Sequence, residues 1–214
     1  MQRQQRAQER RKTSLIFGTA LLVAAILIAI PLYLDRKDAA ERKRTSAPGY
    51  VAAATKAQRA ANCTGVRNER LRGSEHVPNP VSYDDAPPSS GDHHGEPLAA
   101  EPRFHAQGSK PVIERAVHNL EHGFVVGWYD PQLPAAQVAK LQKFAEGSDA
   151  RFIAMPWDRS FFADDRHFVL TSWQRSLPCG EVSEDVIEAY IDKYENFLAP
   201  EPGSPAGQSP PNVG

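Results

Sequence analysis

Val117-His118-Asn119-Leu120-Glu121-His122-Gly123-Phe124-Val125-Val126-Gly127-Trp128-Tyr129-Asp130 is the stretch on which the reading of this chain turns. From Phe124 to Tyr129 it is aromatic and β-branched, the composition of a buried strand. Just before that strand stand His118, Glu121 and His122. Polar, metal-capable side chains at the mouth of a buried strand mark a candidate site.

His118-Asn119-Leu120-Glu121-His122 matches the inverted zincin pattern, in which two histidines four apart grip zinc and the glutamate acts as general base. Gly123 and the strand signal after it limit any helix here to about one turn. The pattern therefore lacks the stable helix and the third ligand that a peptidase of that kind needs. A metal site of another kind is open. The loop-rich region upstream carries His76, His93, His94 and His105, and imidazole suits zinc and copper. The candidate ligands are His118, His122, Glu121, His93 and His76. The competing reading makes the same residues hydrogen-bonded packing groups that tie the loops to the sheet.

Downstream, Pro134 opens a helix whose Val138, Leu141, Phe144 and Ala145 recur at helical spacing, and Gly147 closes it. Arg151–Met155 and His167–Trp173 read as strands. Ser183 is placed to cap a last helix with Glu184 and Asp185 in its first turn. Its apolar face is Val186, Ile187, Tyr190, Ile191, Tyr194 and Phe197. Upstream, Val77-Pro78-Asn79-Pro80, Ala86-Pro87-Pro88-Ser89-Ser90-Gly91 and Glu96-Pro97 break regular structure. The expected fold is an α+β domain with a small mixed or antiparallel sheet, two covering helices and a long loop-rich N-terminal half. One transmembrane helix is expected to precede it.

That helix is read from Leu15 to Leu34, a run without a charged residue and long enough to cross about 30 Å of hydrocarbon. It is longer than a signal-peptide core and lacks a small-x-small cleavage site. The compact basic cluster before it favours a cytoplasmic N-terminus. The expected division is a basic cytoplasmic segment at 1–14, the span at 15–34, a stalk at 35–62, an extracytoplasmic domain at 63–199 and a disordered tail at 200–214. Cys63 and Cys179, as free buried thiols or as a disulfide, depend on the compartment. An oxidising space favours the disulfide. A thioredoxin-like role lacks its C-x-x-C.

The net charge of −1 gives no general argument for nucleic acid, and no basic run inside the folded part resembles a phosphate-binding face. Asp84-Asp85 and Asp164-Asp165 are adjacent pairs with diverging side chains and read as solvated loop residues. No G-x-S-x-G turn and no glycine-rich phosphate loop is present. No complete catalytic set is visible. The partners expected are the membrane and proteins of the cell envelope.

Three motifs carry a resemblance. They are Tyr83 followed by Pro87-Pro88-Ser89-Ser90-Gly91-Asp92-His93, then Val117-His118-Asn119-Leu120-Glu121-His122-Gly123, and Leu170-Thr171-Ser172-Trp173. Together they resemble the bacterial family called domain of unknown function 3105, over about Cys63 to Glu201. The family's usual forms are similar to Pro-Pro-Thr-Ser-Gly-Pro-His, the same His-Asn-Leu-Glu-His-Gly, and Leu-Thr-Ala-Trp. Ser89, Asp92 and Ser172 depart from them, and Asp92 in place of proline is expected to loosen the turn before His93. The resemblance implies a membrane-anchored or exported protein and no particular activity.

Overall fold

The computed structural model describes residues 19, 22, 23, 25–33, 35–37, 39, 40, 42–78, 80–83, 87–99, 101–157 and 165–203. The expectations placed on residues 1–14, Leu15, Leu34, Asp84, Asp85, Asp164 and the tail from 204 lie outside the described residues. The chain divides into two compact units, Met1–Tyr50 and Val51–Gly214.

The first unit corrects the expected fold class. Among the described residues, no helix is long and apolar enough to cross a membrane. The described helical positions there include Asp35, Arg36 and Lys37, charges that a hydrocarbon core disfavours.

The second unit is built on a five-stranded mixed sheet with several helices. Along the chain from Pro48 the elements are α1 (Pro48–Ala60), whose first three residues belong to the first unit, β1 (Arg67–Asn68), α2 (Ile113–Glu121), β2 (Val125–Tyr129), α3 (Ala135–Gly147), β3 (Phe152–Pro156), β4 (Phe168–Ser172), β5 (Arg175–Cys179) and α4 (Glu184–Tyr194). The strand order is β1-β5-β4-β2-β3. Only the β2–β3 pair is parallel, with α3 as its crossover; the other pairs are antiparallel.

Both faces of the sheet are covered, which is why β2 is buried at every position. On one face Val125, Tyr129, Phe152, Phe168, Leu170 and Leu177 meet Leu141 and Ala145 of α3 and Val186, Ile187, Tyr190 and Ile191 of α4. Gly127 makes room there, because a Cβ on it would lie 2.8 Å from the Phe152 ring. On the other face Val126, Trp128 and Met155 meet Ala116, Val117 and Leu120 of α2, with Trp157 and Trp173. The indole of Trp128 donates to Thr171 Oγ1 at 2.8 Å, so its one polar atom is satisfied in the core.

Two local expectations need revision. The helix around His118 has nine residues, not one turn. Its apolar positions at 113, 116, 117 and 120 bury a helical stripe, and Gly123 stops the helix only after Glu121. Ser183 occupies the N-cap of α4, but its hydroxyl makes no capping hydrogen bond. Glu184 and Asp185 in the first turn answer the helix dipole instead.

Cys63 and Cys179 are at disulfide distance, S–S 2.06 Å, closing a separation of 116 residues. The bridge joins the chain after α1 to the end of β5. Thr64 N–H donating to Pro178 O and Gly180 N–H donating to Ala61 O reinforce the same junction.

Candidate metal centre

The nine residues of α2 carry His118 and Glu121, and His122 is the C-cap. Residues 118 and 122 lie one turn apart on one helical face, and their rings stack with centroids 4.6 Å apart. Gly123 ends the helix at φ +86°, and the chain folds back there because Asn196 N–H donates to Gly123 O and Glu201 N–H to Glu121 O.

The other candidates come from loops laid over this face. His76 and His93 form an isolated parallel bridge, with Val77 N–H donating to His93 O at 2.8 Å and His93 N–H to Glu75 O at 2.9 Å. Asp92 tightens this arrangement, contrary to the expectation of a looser turn. Its Oδ1 accepts from Glu75 N–H at 3.1 Å, and its carbonyl accepts from the Tyr83 hydroxyl at 2.8 Å. Gln174 N–H, at the β4–β5 turn, holds the same segment through Ser89 O. Asn119 ties down the next loop, accepting from Leu98 N–H and donating to Leu98 O.

The result is convergence. His76, His93, His118 and Glu121 each offer a ligand atom, and these atoms all lie within 4.8 Å of one another. His93 Nε2 is 3.0 Å and His76 Nε2 3.3 Å from Glu121 Oε2. The rings of His76 and His118 stack nearly parallel at 4.8 Å, and His93 stands edge-on to both. His93 and His118 are completely buried and Glu121 nearly so, whereas the His76 side chain is 38% exposed. The cluster is closed on three sides and open at His76.

The backbone fixes which nitrogen of each ring faces inward. His93 Nδ1–H donates to Gly91 O at 2.8 Å, and His118 Nδ1–H donates to His94 O at 2.7 Å. In a neutral ring the inward Nε2 is then a bare lone pair. For His93 that lone pair would face a carboxylate oxygen at 3.0 Å, a repulsive contact unless a proton or a cation lies between them. Carbonyl-anchored Nδ1–H with Nε2 turned inward is the arrangement of metal-ligating histidine.

The electrostatics keep the donors ready. Burial pushes His118 down to about 4, against the lifting effect of its bond to the His94 carbonyl; the neighbouring histidines push it further down. Burial likewise lowers His122. For Glu121 burial acts upward, but the His93 and His76 rings that stand against its carboxylate outweigh it, and the carboxyl ends below its ordinary range. A neutral His118 beside an ionised Glu121 is a ligand set for a cation, and the C-terminal end of α2 adds a favourable dipole.

His122 lies against this set, its Nε2 2.7 Å from His118 Nε2. His94, His105 and His167 do not join it. His94 Nδ1 accepts from Glu96 N–H. The Tyr129 hydroxyl donates to His105 O, and His167 pairs with Asp130. Sequence reasoning missed Glu201, whose Oε2 lies 3.8 Å from His122 Nδ1. Its place in a Pro/Gly-rich tail hid it.

No curated protein matches this chain, and no solved structure matches it. A family model does match, over residues 76–208, a span that begins at His76 and takes in His93, His118, Glu121, His122 and Glu201. The chain therefore belongs to the family described as Protein of unknown function (DUF3105).

Proposed function

We propose that this protein binds a transition-metal ion, zinc or copper, through His76, His93, His118 and Glu121. The observation that carries the reading is the pairing of inward Nε2 atoms, fixed by carbonyl-bonded Nδ1–H groups, with a buried carboxylate in contact with two of the rings. Three nitrogens and one oxygen suit zinc or copper. Access at His76 leaves room for solvent or a small ligand on the ion, the feature that separates reactive sites from sealed structural ones. The Cys63–Cys179 pair supports a working place in an oxidising compartment, outside the cytoplasm.

The second reading, a protein-interaction module of the cell envelope with structural histidines, is favoured by the 2.7 Å His118–His122 contact. A hydrogen bond between the two rings needs no metal. Metal analysis of the full chain, produced in an oxidising compartment, decides between them. The metal reading expects near-stoichiometric zinc or copper, lost in a His93→Ala/His118→Ala variant whose near-ultraviolet circular dichroism still reports a folded core. A metal-free wild type that takes up neither ion on addition overturns it.

A further inference from the structure

We infer that His122 is a fifth ligand of the same ion, held in that role by Glu201; this rests on the four-donor reading above. His122 is completely buried. Its Nε2 lies 2.7 Å from the inward Nε2 of His118, and its Nδ1 has no hydrogen-bond partner among the described residues. Without a metal, one proton bridges the two Nε2 atoms. The His122 Nδ1 is then a bare lone pair, and a carboxylate oxygen, Glu201 Oε2, lies 3.8 Å from it. A lone pair facing a carboxylate in a buried place is unfavourable.

Coordination through Nε2 removes both difficulties. The proton moves to His122 Nδ1, which then points an N–H at Glu201. His118, His93 and His122 come to share one pattern: Nδ1–H toward an oxygen, Nε2 toward the ion. The spacing sets one requirement. His122 Nε2 is 2.7 Å from His118 Nε2, while the donor atoms that lie within 4.8 Å of one another are those of His76, His93, His118 and Glu121, so the His122 ring turns in toward the ion when it binds. The fold builds this on purpose-placed backbone. Glu201 N–H donates to Glu121 O at 3.1 Å, which sets the Glu201 side chain over the C-terminal end of α2.

Five donors leave one position of a six-coordinate ion for solvent, reached past His76. Four imidazoles and a carboxylate in that geometry favour copper(II) or nickel(II) over tetrahedral zinc. Cobalt(II) is the probe, because its visible bands are weak when five- or six-coordinate and intense when tetrahedral. The metal-free full chain is titrated with cobalt(II) beside His122→Ala and the bulkier His122→Gln, folding being followed by circular dichroism. Weak bands in the wild type, with at least tenfold weaker binding and intensified bands in whichever folded variant lacks the ligand, support the inference. Unchanged spectrum and affinity in a folded variant overturn it and leave the four-donor centre standing. A wild type that binds no cobalt overturns both.

Discussion

At the scale of single residues, the centre depends on backbone geometry more than on the identity of its neighbours. Gly123 holds φ +86°, and a Cβ there would come within 3.0 Å of Asn196 Cα. Gly123→Ala is expected to destabilise the protein by about 1–3 kcal/mol through left-handed backbone and contact strain. Denaturant unfolding measures it, and a midpoint equal to wild type would show that the chain reversal at α2 tolerates a side chain. The buried donors also make a pH prediction for the metal-free protein. Unfolded histidines take up protons near pH 6.5, while burial keeps folded His118 neutral to about 4 and lowers His122 too. Between those limits the unfolded chain binds more protons, so stability is intact above about pH 6.5 and falls as the pH drops. Glu121, held below its ordinary range, acts in the same sense at lower pH: its contribution is present above the unfolded carboxyl value and disappears as the carboxyl protonates. Tm measured with chelator from pH 7.5 to 4.5 is expected to hold down to about pH 6.5 and to decline below it. A flat profile from 7 to 5 would mean that His118 is not held neutral by burial.

At the scale of elements, the site is a helix with loops fastened to it, and Asn119 is the fastener. Its amide makes two hydrogen bonds to Leu98, on the segment whose His94 carbonyl fixes the His118 ring. Asn119→Ala is expected to lower stability by about 1–3 kcal/mol, because Leu98 O loses its amide donor and Leu98 N–H keeps only its longer 3.3 Å bond to Arg115 O. Metal affinity should fall by about 10–100-fold, the usual effect of losing an outer partner of a ligand. Lost stability with unchanged affinity would detach the loop from ligand placement. The elements carrying the most apolar pattern were legible in sequence: β2 from Phe124–Tyr129, α3 from Leu141 and Ala145, and α4 from its stripe of Val186, Ile187, Tyr190 and Ile191. β5 was not, because Arg-Ser-Leu-Pro-Cys contains no β-branched or aromatic residue and Pro178 argues against a strand. β1, two exposed residues, has no pattern to read. The turn Trp173-Gln174 between β4 and β5 contains no glycine, and Gln174 alone takes the positive φ of 56°. The length of α2 was hidden by reading from Val117 onward; Ile113 and Ala116 complete the stripe. His76 and His93 were named by residue type, but their meeting depends on a bridge between two loops, which local sequence cannot encode.

At the scale of the whole molecule, the disulfide and an ion at the candidate centre would stabilise the same segment by different means. The Cys63–Cys179 bridge encloses a separation of 116 residues, and the loop so closed contains His76, His93, His118, Glu121 and His122. In its first half the described residues between Glu69 and Val112 form no helix or named strand, with little regular structure to limit their freedom when unfolded. Cross-linking so long a loop is worth about 4–5 kcal/mol in the chain-entropy model, a large share of the 5–15 kcal/mol that holds a typical domain together. A bound ion acts on the other side of the equilibrium, since it binds folded chain only: free metal at 100 times Kd adds about 2.7 kcal/mol. The two effects should therefore sum, and four Tm values follow in order. Oxidised protein with metal is highest. Oxidised metal-free protein and the Cys63→Ser/Cys179→Ser variant with metal lie between, the oxidised form above. The variant without metal is lowest and is expected to be substantially unfolded at 37 °C. Differential scanning calorimetry of the four samples at fixed protein and metal concentration gives the comparison. If the serine variant melts where the oxidised protein does, the long loop is already constrained in the unfolded chain. If metal raises Tm in the oxidised protein but not in a folded serine variant, the bridge is needed to bring His76 and His93 onto α2, and the entropic account gives way to a positional one.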